Sequence, residues 1–86
     1  MPVVSRFFGI LIAFNWEDHL PPHFHAKYSG DEAMIDIRTG AVVRGSLPRR
    51  ALSLVDEWRT AHVDELANNW ERARERLPLA YIAPLE

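Results

Sequence analysis

The chain has 86 residues, ten basic and twelve acidic side chains and a formal net charge of -2, a length that holds one hydrophobic core rather than two. At 48% hydrophobic, with three Trp and four Phe, it has a globular composition that excludes a disordered chain or a coiled coil. The charge balance argues against a protein that coats nucleic acid through a basic surface, and the absence of cysteine excludes a disulfide framework and a thiolate zinc site.

The first apolar stretch, residues 4–15, reads as one central strand that is apolar on both faces, with Gly9 marking a bulge. A polar loop follows, in which Pro21 and Pro22 offer no backbone N–H and hold the chain stiff. Residues 23–28 then alternate, with His23, His25 and Lys27 on one side and Phe24, Ala26 and Tyr28 on the other. Residues 32–38 alternate likewise, with Ala33, Ile35 and Ile37 apolar. Taking Gly30-Asp31 as the two-residue hairpin loop sets Tyr28 opposite Ala33, His25 opposite Asp36 and His23 opposite Arg38. Thr39-Gly40 turns the chain again, and residues 41–44 suit a short fourth strand.

Near Ser46 the pattern changes to a helical one. Ser46 or Leu47 is the expected cap, with Pro48 in the first turn. The stripe Ala51, Val55, Trp58, His62, Leu66, Trp70, Ala73, Leu77 repeats at spacings of three and four. An unbroken helix over residues 48–77 would be about 45 Å long, more than a domain this size accommodates, so a break is expected between Arg59 and Asp64. After Pro78 a short extended tail could add an edge strand. The reading is an α+β single domain over residues 1–86: an antiparallel sheet of three to four strands packed against one long bent helix or two consecutive helices. Lack of cysteine suggests the cytoplasm, and the longest apolar run, residues 7–14, is too short to cross a membrane. Small size makes a homodimer or a small protein partner an expectation.

Three of the four histidines fall in Asp18-His19-Leu20-Pro21-Pro22-His23-Phe24-His25, the one concentration of chemistry in the chain. His-X-His on a strand sends both imidazoles to one face about 6–7 Å apart. One use is a divalent transition metal held by His19, His23 and His25, with Asp18 completing or orienting the shell. Another is acid–base chemistry by His19, His23, His25, Asp18 and Asp36, with Asp36 orienting His25 across the strands and Arg6, Lys27, Arg38 or Tyr28 binding a phosphate-bearing substrate such as RNA. The plain alternative is that these side chains only hold a loop in place. Removal of Met1 would expose Pro2, the base of small tautomerases, but nothing else of that pattern is present.

Beyond this segment stand Ser5-Arg6-Phe7 with Gly9-Ile10, Tyr28, Leu47-Pro48 with Arg50-Ala51-Leu52, Glu57-Trp58, Asn69-Trp70-Glu71 and Pro84-Leu85. Together with Pro21-Pro22-His23-Phe24-His25-Ala26, they make the chain resemble the small bacterial proteins grouped as domain-of-unknown-function family 4160 (DUF4160). The resemblance implies a fold and a genomic habit rather than a reaction: members often sit beside another small gene, as in two-gene toxin–antitoxin modules. A component of such a module, acting on RNA or a partner protein through the histidine face, is the resulting expectation. A metal-binding or non-catalytic interaction module is the alternative.

Overall fold

Glycine in the second place of a two-residue turn organises the first half of the chain. In the computed structural model, which describes residues 2–86, strands β1 (Val3–Phe7) and β2 (Ile10–Ala13) are joined by Phe8-Gly9, with φ of 49° and 80°. Strands β3 (His23–Tyr28) and β4 (Asp31–Asp36) are joined by Ser29-Gly30, with φ of 49° and 91°. Two consecutive positive φ values define the type I′ turn, whose twist matches that of the flanking strands. The single strand expected over residues 4–15 is therefore two strands folded back on each other, and Gly9 is a turn residue rather than a bulge. With β5 (Val42–Gly45) the sheet is a five-stranded antiparallel meander in the order β1-β2-β3-β4-β5, instead of the three or four strands expected.

The β3–β4 register also differs from expectation. Moving the loop from Gly30-Asp31 to Ser29-Gly30 pairs Ala26 with Ala33, Phe24 with Ile35, His25 with Met34 and His23 with Asp36. His25 thus faces Met34 rather than Asp36, and His23 faces Asp36 rather than Arg38. A shift of two residues leaves every side chain on its own face, because only an odd shift exchanges faces. Apolar alternation was blind to it.

One sheet face carries Phe7, Ile10, Ile12, Phe24, Ala26, Ala33 and Ile35 into the core. Helix α1 (Arg49–Ala61) covers it, with the fully buried Trp58 against Phe7 and Phe24 at ring-centroid distances of 5.2 and 5.9 Å. Pro48 occupies the N-cap position with no side-chain cap, so neither Ser46 nor Leu47 caps the helix. Helix α2 (Val63–Arg74) starts after a break at His62 (φ -132°, ψ 27°), inside the expected window. The break follows from size: the longest extent is 33 Å, short of an unbroken helix. The helical region ends at Arg74, before the expected residue 77, where Arg76 (φ 56°) turns the chain and the Leu77 N–H donates to the Arg72 carbonyl.

The tail forms a strap instead of an edge strand. Ile82 is fully buried and donates its N–H to the Val4 carbonyl, while Trp58 Nε1–H donates to Ala83 O at 2.8 Å. Asn69, also fully buried, donates to Ala80 O and accepts from Ala80 N–H, both at 2.8 Å, so its amide acts as a backbone surrogate. Arg59 ties α1 to the end of β4 by donating to the Ile37 and Arg38 carbonyls. Among the described residues no helix is long and apolar enough to cross a membrane. Met1, on which the tautomerase suggestion depends, lies outside the described residues.

Candidate metal centre

Side chains alternate along β3, so the face opposite Phe24 and Ala26 carries His23, His25 and Lys27. Strand pairing extends this face: Arg6 and Leu11 align with Lys27 and Glu32, while Ala13 and Met34 flank His25 and Arg44 lies beside Met34. The β2–β3 loop covers the histidine end. It is anchored by the Glu17 N–H donating to Ala73 O at the end of α2, by an Arg76–Glu17 ion pair, and by the Ile37 N–H donating to Pro22 O. The Leu20–Pro21 peptide within it is cis. Trp70 of α2 closes the other side, its ring 5.1 Å from that of His23. His23 is 1% exposed and His25 5%.

The two imidazoles stand 5.2 Å apart between centroids, edge to face, and converge on one oxygen. Asp18 Oδ2 lies 2.9 Å from His23 Nε2 and 3.2 Å from His25 Nε2. The other nitrogens are committed elsewhere. His23 Nδ1 is 2.7 Å from the Pro21 carbonyl, and His25 Nδ1 is 2.9 Å from Glu32 Oε2. Both partners accept only, so each Nδ1 carries the hydrogen and a neutral ring turns an Nε2 lone pair toward Asp18. Two lone pairs and a carboxylate oxygen then face one another. That arrangement needs protons or a cation between them.

Burial alone would push the Asp18 carboxyl up, but the His19 N–H and, when protons fill the gap, hydrogen bonds from the His25 and His23 rings hold it below its ordinary value. It is an anion at neutral pH. The donor atoms of Asp18, His23 and His25 lie within 4.8 Å of one another. Tetrahedral ligands at zinc distances stand about 3.3–3.4 Å apart, so the two observed Asp18 separations need to open by only a few tenths of an ångström. The same two-histidine, one-carboxylate set also suits iron(II) with open positions. Asn15 Nδ2 lies 3.2 Å from His25 Nε2 and donates to its lone pair, a contact that a metal at that nitrogen would replace.

Several expected site residues stand elsewhere. His19 is exposed and contributes its backbone N–H to Asp18 Oδ1, and the side chains whose donor atoms converge are Asp18, His23 and His25. Asp36 does not orient His25: its Oδ1 accepts the Arg38 and Thr39 N–H groups and shapes the turn after β4. Glu32 takes the orienting place. Arg6 and Lys27 share the histidine face, whereas Tyr28 belongs to the opposite face, beside Ile10, and Arg38 lies past the end of β4 in a separate pocket with Pro21, Pro22 and Val63. Glu32, Asn15 and Arg44 were not foreseen. Glu32 was legible only through the correct hairpin turn, since Lys27 pairs with Glu32 and sets it diagonal to His25.

A groove of about 330 Å³ opens onto this cluster, lined by Asn15, Asp18, His19 and His25 with Leu20, Met34, Val43 and Arg44 among its walls. The centre is thus reached from solvent at His25 and closed at His23. The family model described as domain of unknown function DUF4160 matches residues 9–71, and the chain belongs to that family. No curated protein and no solved structure is significantly similar to it. The match takes in β2 to β5, the whole His–Asp cluster, α1 and most of α2.

Proposed function

We propose that the protein binds a divalent transition metal through His23 Nε2, His25 Nε2 and an Asp18 carboxylate oxygen, with the remaining coordination directed into the groove. The observation that carries this reading is the commitment of both Nδ1 atoms to acceptors, Pro21 O and Glu32. Metal-bound histidines use the second nitrogen in this way, toward a carbonyl or carboxylate that fixes the ring. A metal here would act as a Lewis acid and lower the pKa of a bound water. The test is calorimetric titration of metal-free protein with zinc and with iron(II). One equivalent should bind to the wild type, and the His23→Ala and His25→Ala variants, checked for folding by circular dichroism, should lose it. Protein that stays metal-free under saturating zinc would show that protons hold the cluster, and the reading would fail.

A second reading is that the protein is one half of a toxin–antitoxin-like pair that acts on RNA or a partner protein through this face. Arg6, Lys27 and Arg44 on the same face as His25 favour it. The burial of His23 weighs against a scheme in which two histidines trade protons with a polymer. If RNA is cleaved, activity surviving a chelator but lost in His25→Ala points to acid–base chemistry. Activity lost in chelator and regained with zinc points to the metal.

A further inference from the structure

Arg44 is the cation in the groove walls, and no acidic group claims it. Salt bridges among the described residues engage Lys27, Arg59, Arg74 and Arg76, and Arg44 is exposed without a carboxylate partner. It is placed by register: His25 on β3 pairs with Met34 on β4, which pairs with Arg44 on β5. The two Cα atoms therefore stand two strand spacings apart, about 10 Å, on one face. A long arginine side chain spans part of that gap and leaves room for one oxyanion. The other walls, Leu20, Pro21, Met34 and Val43, are apolar. Leu20 and Val43 are 71% and 45% exposed, so the groove presents apolar surface to solvent that a ligand would cover.

We infer that the groove binds a small molecule with an oxyanion head and an apolar body, the head bridging the metal and Arg44 and the body lying on Leu20, Met34 and Val43. The inference rests on the metal reading above. Arginine matches phosphoryl and carboxylate groups by its planar fork, and the metal supplies a second positive centre across the gap. Asp18 and Glu32, the carboxylates on the metal side, are balanced there by the two positive charges of the metal. A volume of about 330 Å³ is at the lower end of small-ligand sites and too small for a folded partner.

Zinc-loaded full-length protein, with its zinc content measured first, is titrated with inorganic phosphate, phenyl phosphate, benzoate and phenol. Phenyl phosphate or benzoate should bind at least about tenfold more tightly than inorganic phosphate, and phenol should not bind. Which of the two binds more tightly separates a phosphoryl from a carboxylate ligand. Arg44→Ala should weaken oxyanion binding about ten- to a hundredfold and leave zinc affinity unchanged. Arg44→Lys should recover only part of the loss, because it keeps the charge and loses the fork. Failure to take up zinc sinks the metal reading before any oxyanion is added. Normal zinc uptake with oxyanion affinity unmoved by Arg44→Ala, or equal in zinc-free protein, overturns this inference alone.

Discussion

Asp36 and Glu32 lie four residues apart on β4, yet their carboxylates do unlike work. Asp36 accepts two backbone N–H groups in the turn after β4. Burial alone would raise its pKa, but those bonds, with Thr39 and the Arg38 charge, hold it below the ordinary value. A lowered folded-state pKa contributes stability above the unfolded value near 3.8, and that contribution is lost as pH falls through the folded value. Asp36→Asn keeps an acceptor oxygen but does not titrate. Urea midpoints should therefore favour the wild type at pH 6 and converge with the variant as pH drops below about 4. Glu32 instead fixes the His25 ring, so Glu32→Ala should weaken zinc binding about ten- to a hundredfold with the fold retained, as read by competition with a chromogenic chelator. Unchanged zinc affinity would remove Glu32 from the centre.

The elements are joined by devices that propensity alone does not reveal. Phe8 sits at φ 49° in the β1–β2 turn with its ring 59% exposed, a bulky residue where the left-handed backbone favours Asn or Gly. Phe8→Asn builds the preferred Asn-Gly turn and should raise stability by about 0.5–1 kcal/mol, seen as a higher thermal midpoint. The tail depends on Asn69, whose amide makes two bonds to Ala80. Asn69→Ala leaves a buried N–H and a C=O without partners and should cost about 2–4 kcal/mol, with early proteolysis after residue 78. A variant as stable as the wild type would show that the apolar seat of Ile82 suffices. Gly45 is constrained by space: at φ 78°, a Cβ would stand 2.1 Å from the Glu32 carbonyl oxygen in the strand that carries the candidate orienting carboxylate.

At the scale of the whole molecule, the sheet is a partition. One face with α1 and α2 makes the core, while the other face, covered by the β2–β3 loop, holds the His23 and His25 rings nearly out of water, with Trp70 of α2 packed against His23. A metal there would join β3 to the loop, which is itself tied to α2, and so would stabilise the folded chain as a unit. At zinc a hundredfold above its dissociation constant, mass action adds about 2.7 kcal/mol, which in a chain this short raises the melting midpoint by roughly 10–20 °C. Differential scanning calorimetry with zinc and then with excess chelator should show the rise and its full reversal. No rise with zinc would leave the cluster as a proton-bridged support for the loop.

Periodicity and turn residues settled what is local: the α+β class, the alternation that puts His23 and His25 on one face, the stripe of α1 and α2, and a break near His62 forced by length. These are legible because each depends on neighbours within a few positions. Hairpin register, the third member of the His–Asp cluster and the acid beside His25 were decided by tertiary structure. A two-residue register shift keeps every face intact, so the sequence pattern does not distinguish Glu32 from Asp36 as the neighbour of His25. Asp18 rather than His19 joins the cluster because the loop is anchored to α2 and to Ile37, contacts between residues 15 to 59 positions apart.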